Sequence, residues 1–171
     1  MYNTCGDGMN KTKQMTTLSM FIALAIIFHW IEAQIPIPSP IPGYHLGLAN
    51  IVGLVVLYKF NDKKMMVVNL LRSIFASLLN GMIFNYVFWM SFCGVSLSTL
   101  ISILLKKYSG LSCVGISVAS SIAHCVGQIL VALVLYNQAL MITFLPYLLF
   151  MSIPTGIMTG SITSLVLKRL K

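Results

Sequence analysis

His29 and Glu32 stand three residues apart, and His124 and Gln128 four apart, so on a helix each pair projects from one face. Together with His45 and Asn50 they offer imidazole, carboxylate and amide groups, a set suited to holding a polar ligand by hydrogen bonds. His29, Glu32 and His45 are also types that bind transition metals, and that reading stands beside the first. Hydrolytic and group-transfer chemistry finds no such footing. The acidic residues are Asp7, Glu32 and Asp62, too scattered for the clustered carboxylates of prenyl transfer, phosphoryl transfer or glycoside hydrolysis. No GxxxxGK[ST], HExxH or GxSxG string occurs, so neither a nucleotide-hydrolysing loop nor a familiar hydrolase centre is expected. Cys5, Cys93, Cys113 and Cys125 form no CxxC and read as small buried hydrophobes. The expectation is a binding protein, not an enzyme, with no catalytic residues and no cofactor.

The elements that position these groups must lie in a membrane. Of 171 residues 58% are apolar and only 8% charged, against about 25% charged in soluble domains. The mean hydropathy is +0.92. Too little polar surface remains to solvate a water-facing globule, which excludes a soluble enzyme. Apolar runs fall at 16–34, 45–59, 65–80, 83–105, 111–136 and 140–167, each near the roughly 20 residues that a spanning helix needs. None shows the alternation of a membrane barrel. The sequence thus predicts an all-α integral membrane protein of six transmembrane helices, with residues 1–14 a cytoplasmic tail and 15–168 a single transmembrane domain.

Basic residues orient it. Lys11 and Lys13 precede the first span, Lys59, Lys63 and Lys64 lie between the second and third, Lys106 and Lys107 between the fourth and fifth, and Lys168, Arg169 and Lys171 follow the sixth. Short loops rich in Lys and Arg stay in the cytoplasm, so both termini are expected inside a plasma membrane, and the first span is expected to remain uncleaved. The net charge of +8 is dispersed among these caps, which is not the continuous basic face of a nucleic-acid binder.

In that orientation the polar residues gather in the outer half of the bilayer. His29 and Glu32 end the first span, His45 and Asn50 begin the second, Asn85 and Tyr86 begin the fourth, and His124 and Gln128 lie in the fifth. These eight form the candidate substrate-binding set; each also reads as interhelical glue. Arg72 falls near the middle of the third span, where a structural or coupling role is favoured over ligand contact. The segment from Ile35 to Gly43, with a proline at every second position, is stiff and extended, either a lid or a plain connector. Ser19 with Ala23, and Gly156 with Gly160 behind Pro154, are small-xxx-small pairs that permit close helix approach.

Three stretches carry a resemblance. Gly43 to Val52 with its LGLAN string, Gly115 to Gln128 with AHCVGQ, and Leu145 through Gly156 and Gly160 resemble the Gx transporter family, also labelled heptaprenyl diphosphate synthase component I. The likeness extends from the first span to the sixth, with departures at His45 and Cys125, where the family often has Lys and Asn. That family in turn resembles the six-helix substrate-binding (S) components of energy-coupling factor (ECF) transporters. The resemblance implies an S-component-like bundle that captures a small metabolite (a flavin, a vitamin-like compound, or a quinone or isoprenoid precursor) from outside. Its implied partners are a transmembrane coupling (T) protein and two cytoplasmic ATPases, with Ser19 and Ala23 matching the strip that meets the coupling protein. The alternative it leaves open is a non-transporting accessory subunit for isoprenoid or quinone synthesis or flavin-linked electron transfer.

Overall fold

A computed structural model describes residues 10–34, 47–81, 83–136 and 139–169. The elements are α1 (Lys11–Gln34), α2 (Leu48–Lys59), α3 (Asp62–Leu79), α4 (Tyr86–Tyr108), α5 (Cys113–Tyr136) and α6 (Leu145–Arg169), with a 3-10 turn at Ala139–Phe144 leading into α6. His45, the proline segment 35–43, Cys5 and most of the expected tail lie outside the described residues.

Local chemistry sets several helix ends. Asn61 accepts the Asp62 N–H at 2.7 Å to open α3, and Asn85 accepts the Tyr86 N–H at 2.7 Å to open α4. Lys106 and Lys107 end α4, and Lys168 and Arg169 end α6, where cations oppose the negative end of the helix dipole.

α1 packs on α2 and α3, α2 on α6, α3 on α4, α4 on α5, and α5 on α6. The cross-links fix an up-and-down arrangement. Glu32 meets Leu48, Asn69 donates to Thr99 at 2.8 Å, and Ser117 and Thr159 share a hydrogen bond of 2.8 Å. As a result the described Lys and Arg residues, Arg72 excepted, collect at one end of the bundle. There Lys106 bonds the Leu57 carbonyl at 2.7 Å and approaches Asp62 at 3.5 Å, while Lys64 donates to Gln14 at 2.8 Å.

Polarity runs opposite to that of a water-soluble bundle. Met20, Ile27, Phe150 and Leu165 stand on the outside, while Glu32, Asn69, Arg72 and Gln128 are buried. That pattern is the solution for a chain whose solvent is lipid. Two apolar clusters bracket the polar interior. One gathers Leu54, Leu57, Met65 and Val68 around Ala25, and the other Met90, Ile129 and Leu148 around Cys125.

Four helical stretches are long and apolar enough to cross a membrane: α1, α4, α5 and Ile142–Arg169. The six expected spans therefore appear as six α-helices of which two differ in kind. α2 has 12 residues, about 18 Å at 1.5 Å per residue, against the ~30 Å of a hydrocarbon core. Its apolar residues face protein instead, for Ile51 through Tyr58 are all buried. α3 has 18 residues but carries Asp62, Lys63, Lys64 and Arg72.

Candidate ligand-binding cavity

Glycine decides how closely the walls approach. A Cβ on Gly127 would lie 3.0 Å from the Gly94 Cα, and one on Gly94 would lie 3.0 Å from both Cε1 and Nδ1 of His124, so α4 and α5 touch through backbone and leave room for one imidazole. The Gly156 and Gly160 pair seats α6 on α5, where added Cβ atoms would fall 2.8 Å from the Val118 Cα and 2.7 Å from the Val114 Cα. Close approach at this GxxxG is the one expected from sequence.

Beside this wall, toward the end of the bundle away from the lysines, lies a cavity of about 50 Å³. A water needs roughly 10–15 Å³ by this kind of measure, so it holds a handful of waters. α1 contributes His29 and Glu32, α2 contributes Ala49 and Asn50 behind Gly47, and α3 contributes Arg72. α4 adds Ser91, Val95 and Ser98, α5 adds Ser121, His124 and Cys125, and α6 adds Ser152 and Thr155. All six helices meet here.

The cavity thus unites four of the eight residues expected to bind substrate, His29, Glu32, Asn50 and His124, and brings in Arg72. Gln128 is buried one turn beyond His124, outside the lining. Asn85 and Tyr86 are exposed at the start of α4, where Asn85 caps the helix and Tyr86 packs edge-on against Tyr136 at 5.6 Å. Ser19 and Ala23 are exposed on α1. Among the described residues no three of His, Cys, Asp and Glu gather as a metal site; His45, the third ligand considered, is not among them.

Glu32 has a task that the sequence conceals. Its carboxylate accepts the Leu48 N–H, with the Gly47 and Ala49 N–H groups also turned toward it, and so caps α2 from another helix. α2 needs this because its own N-cap, Gly47, has no side chain; its φ of 85° places it in the left-handed region open to glycine. The carboxylate sits at the positive end of the α2 dipole, a favourable place for it.

The remaining lining divides into satisfied and unsatisfied groups. Asn50 donates to Ser120 at 3.4 Å, and the hydroxyls of Ser121, Ser152 and Thr155 bond carbonyls of their own helices at 2.8 to 3.2 Å. Ser98 does the same toward Val95 at 3.2 Å. Arg72 and Ser91 do not. Both are 4% exposed, and neither Arg72 Nε nor Ser91 Oγ has a hydrogen-bond partner among the described residues. Arg72 feels the charge of Glu32 without forming an ion pair with it.

Sequence reasoning missed the hydroxyl lining, although a signal exists. Ser91 and Ser98 recur at i and i+7, and Ser152 and Thr155 at i and i+3, which places small polar groups on one face of each helix.

A model of the family described as heptaprenyl diphosphate synthase component I matches residues 21–166. Neither the curated proteins nor the solved structures yield a match.

Proposed function

The chain belongs to the heptaprenyl diphosphate synthase component I family, and from that premise we propose that it is the substrate-binding subunit of a membrane uptake system of the ECF type. It takes a small metabolite from outside, and partner ATPases, through a coupling protein, drive its release within. The observation that carries this reading is the polar cavity where six helices converge, lined by buried Arg72 and Ser91 in a chain with no nucleotide-binding motif. The lysines at the opposite end support an orientation with both termini cytoplasmic and the cavity toward the outer face of the cell membrane. α1 supports the coupling step: only Ala25, His29 and Glu32 on it are buried, which leaves Ser19 and Ala23 on an uncovered face.

Gentle purification from the native membrane, followed by mass spectrometry of the accompanying chains, tests this. A coupling protein with an ATPase pair is the expected recovery. The family's name favours a second reading, an accessory subunit that transports nothing, and recovery of a prenyl or quinone enzyme without ATPases would replace the first with it. Within the uptake reading, Ser19→Leu with Ala23→Leu abolishes ATP-dependent uptake and leaves ligand binding intact; unchanged uptake discredits the α1 face.

A further inference from the structure

We propose that the cavity is an anion site, in which a carboxylate or phosphate group of the ligand seats on Arg72 and Ser91. The inference deepens the uptake reading and rests on it for the word ligand. A guanidinium carries five N–H donors and cannot be deprotonated in a protein, so burying one without acceptors is among the costliest arrangements a chain can hold. Arg72 approaches that state: it is 4% exposed, its Nε has no hydrogen-bond partner among the described residues, and it borders open volume. Ser91 presents a second unpartnered donor to the same cavity.

Glu32 does not meet this need, although it lines the cavity too. Its oxygens are turned to the amides of α2, and no ion pair joins it to Arg72. The electrostatic sum also leaves a surplus. Arg72 and Glu32 cancel as unit charges, and the α2 N-terminus adds about half a positive charge. The other lining hydroxyls use their donors on their own backbones. What the described lining leaves short is therefore acceptors with negative charge, and a carboxylate or phosphate supplies both in the planar or forked geometry that arginine prefers. A neutral carbonyl would fill one acceptor position and leave the remaining partial positive charge uncompensated.

The test is thermal unfolding of the purified protein in neutral detergent, titrated at constant ionic strength with probes small enough for the cavity: inorganic phosphate, and acetate against its neutral isostere acetamide. Phosphate or acetate is expected to raise Tm while acetamide does not, and whichever anion acts at lower concentration identifies the group. Equal protection by acetamide, or none by either anion and none by an anionic lipid, overturns the proposal. Ser91→Ala removes a hydroxyl that has no partner, so the variant folds; it is expected to weaken the anion about tenfold, the worth of one hydrogen bond to a charge. Arg72→Gln is expected to weaken it about 100-fold, and Arg72→Lys to recover part of the loss. Protection unchanged in Ser91→Ala and Arg72→Gln overturns the proposal as well.

Phosphatidylglycerol titrated into the same detergent separates the source of the anion. Protection by soluble anions assigns the site to a metabolite. Protection by the lipid alone keeps the anion site but assigns it to a headgroup, which removes the uptake reading and leaves the chemistry standing. Recovery of the ATPase partners with no anion effect does the reverse.

Discussion

The two halves of the bundle are built from different materials. α4, α5 and α6 meet through backbone, with Gly94 on Gly127 and with Gly156 and Gly160 on Val118 and Val114, and several of their serines and threonines, among them Ser96, Ser102, Ser121 and Thr163, turn back onto their own carbonyls. α1, α2 and α3 meet mainly through large side chains, among them Leu54, Leu57, Met65 and Val68 with Phe21 and Ile22 around them. Their one close glycine contact is Gly53, against the Asn69 side chain. A backbone contact has no rotamer to change, whereas side chains can slide and refill, so the cavity lies between a fixed wall and an adjustable one. The cavity in this structure is too small for a drug-sized metabolite, and the adjustable half is the one that can widen it.

Four substitutions probe that contrast, in falling order of effect. Gly160→Leu pushes side-chain atoms into the Val114 backbone, where a Cβ alone would sit 2.7 Å from Cα; it is expected to exceed the ~3 kcal/mol of ordinary overpacking and to leave little folded protein by size-exclusion chromatography in detergent. Leu57→Ala, in the other half, is expected to cost about 2–3 kcal/mol in denaturant titration, the low end for this change, because Phe21 and Ile22 can close the gap. A cost as large as that of Gly160→Leu would show that the two halves are equally rigid. Glu32→Ala uncaps α2 and is expected to cost about 1–2 kcal/mol, with Glu32→Gln recovering part, since an amide oxygen still accepts from Leu48. Hydrogen exchange at the first turn of α2 localises that loss. Ser19→Leu changes an exposed position and is expected to stay within ~0.5 kcal/mol of the parent, so under the proposed uptake reading a loss of transport in this variant reports something other than stability.

The long helices are legible in the sequence because their apolar runs are bounded by charge: Lys106 and Lys107 end α4, and Lys168 and Arg169 end α6. α2 is legible as apolar but not as short and enclosed. Leu54 and Val56 look the same in a list of residues whether lipid or protein surrounds them, since lipid tails are as apolar as leucine. In the cavity, His29, Glu32, Asn50 and His124 stand out because polar groups are rare in such a chain, and a buried imidazole or carboxylate needs a reason. The hydroxyls do not stand out, because serine and threonine can satisfy themselves on the helix that carries them. Glu32 as the cap of α2 is beyond any local reading. The carboxylate lies 16 residues before the amide it meets, and the gap is closed only by the antiparallel packing of α1 on α2.

That one carboxylate also makes α1 a mechanical part. A single rod of 24 residues carries Ser19 and Ala23 on its uncovered face and, at its far end, the group that holds the first amides of α2. A tilt of the rod by little more than a hydrogen-bond length at that end unfastens the start of α2 beside Arg72. Ser19, Ala23 and the cap of α2 therefore belong to one helix, and whatever displaces that helix also loosens the start of α2.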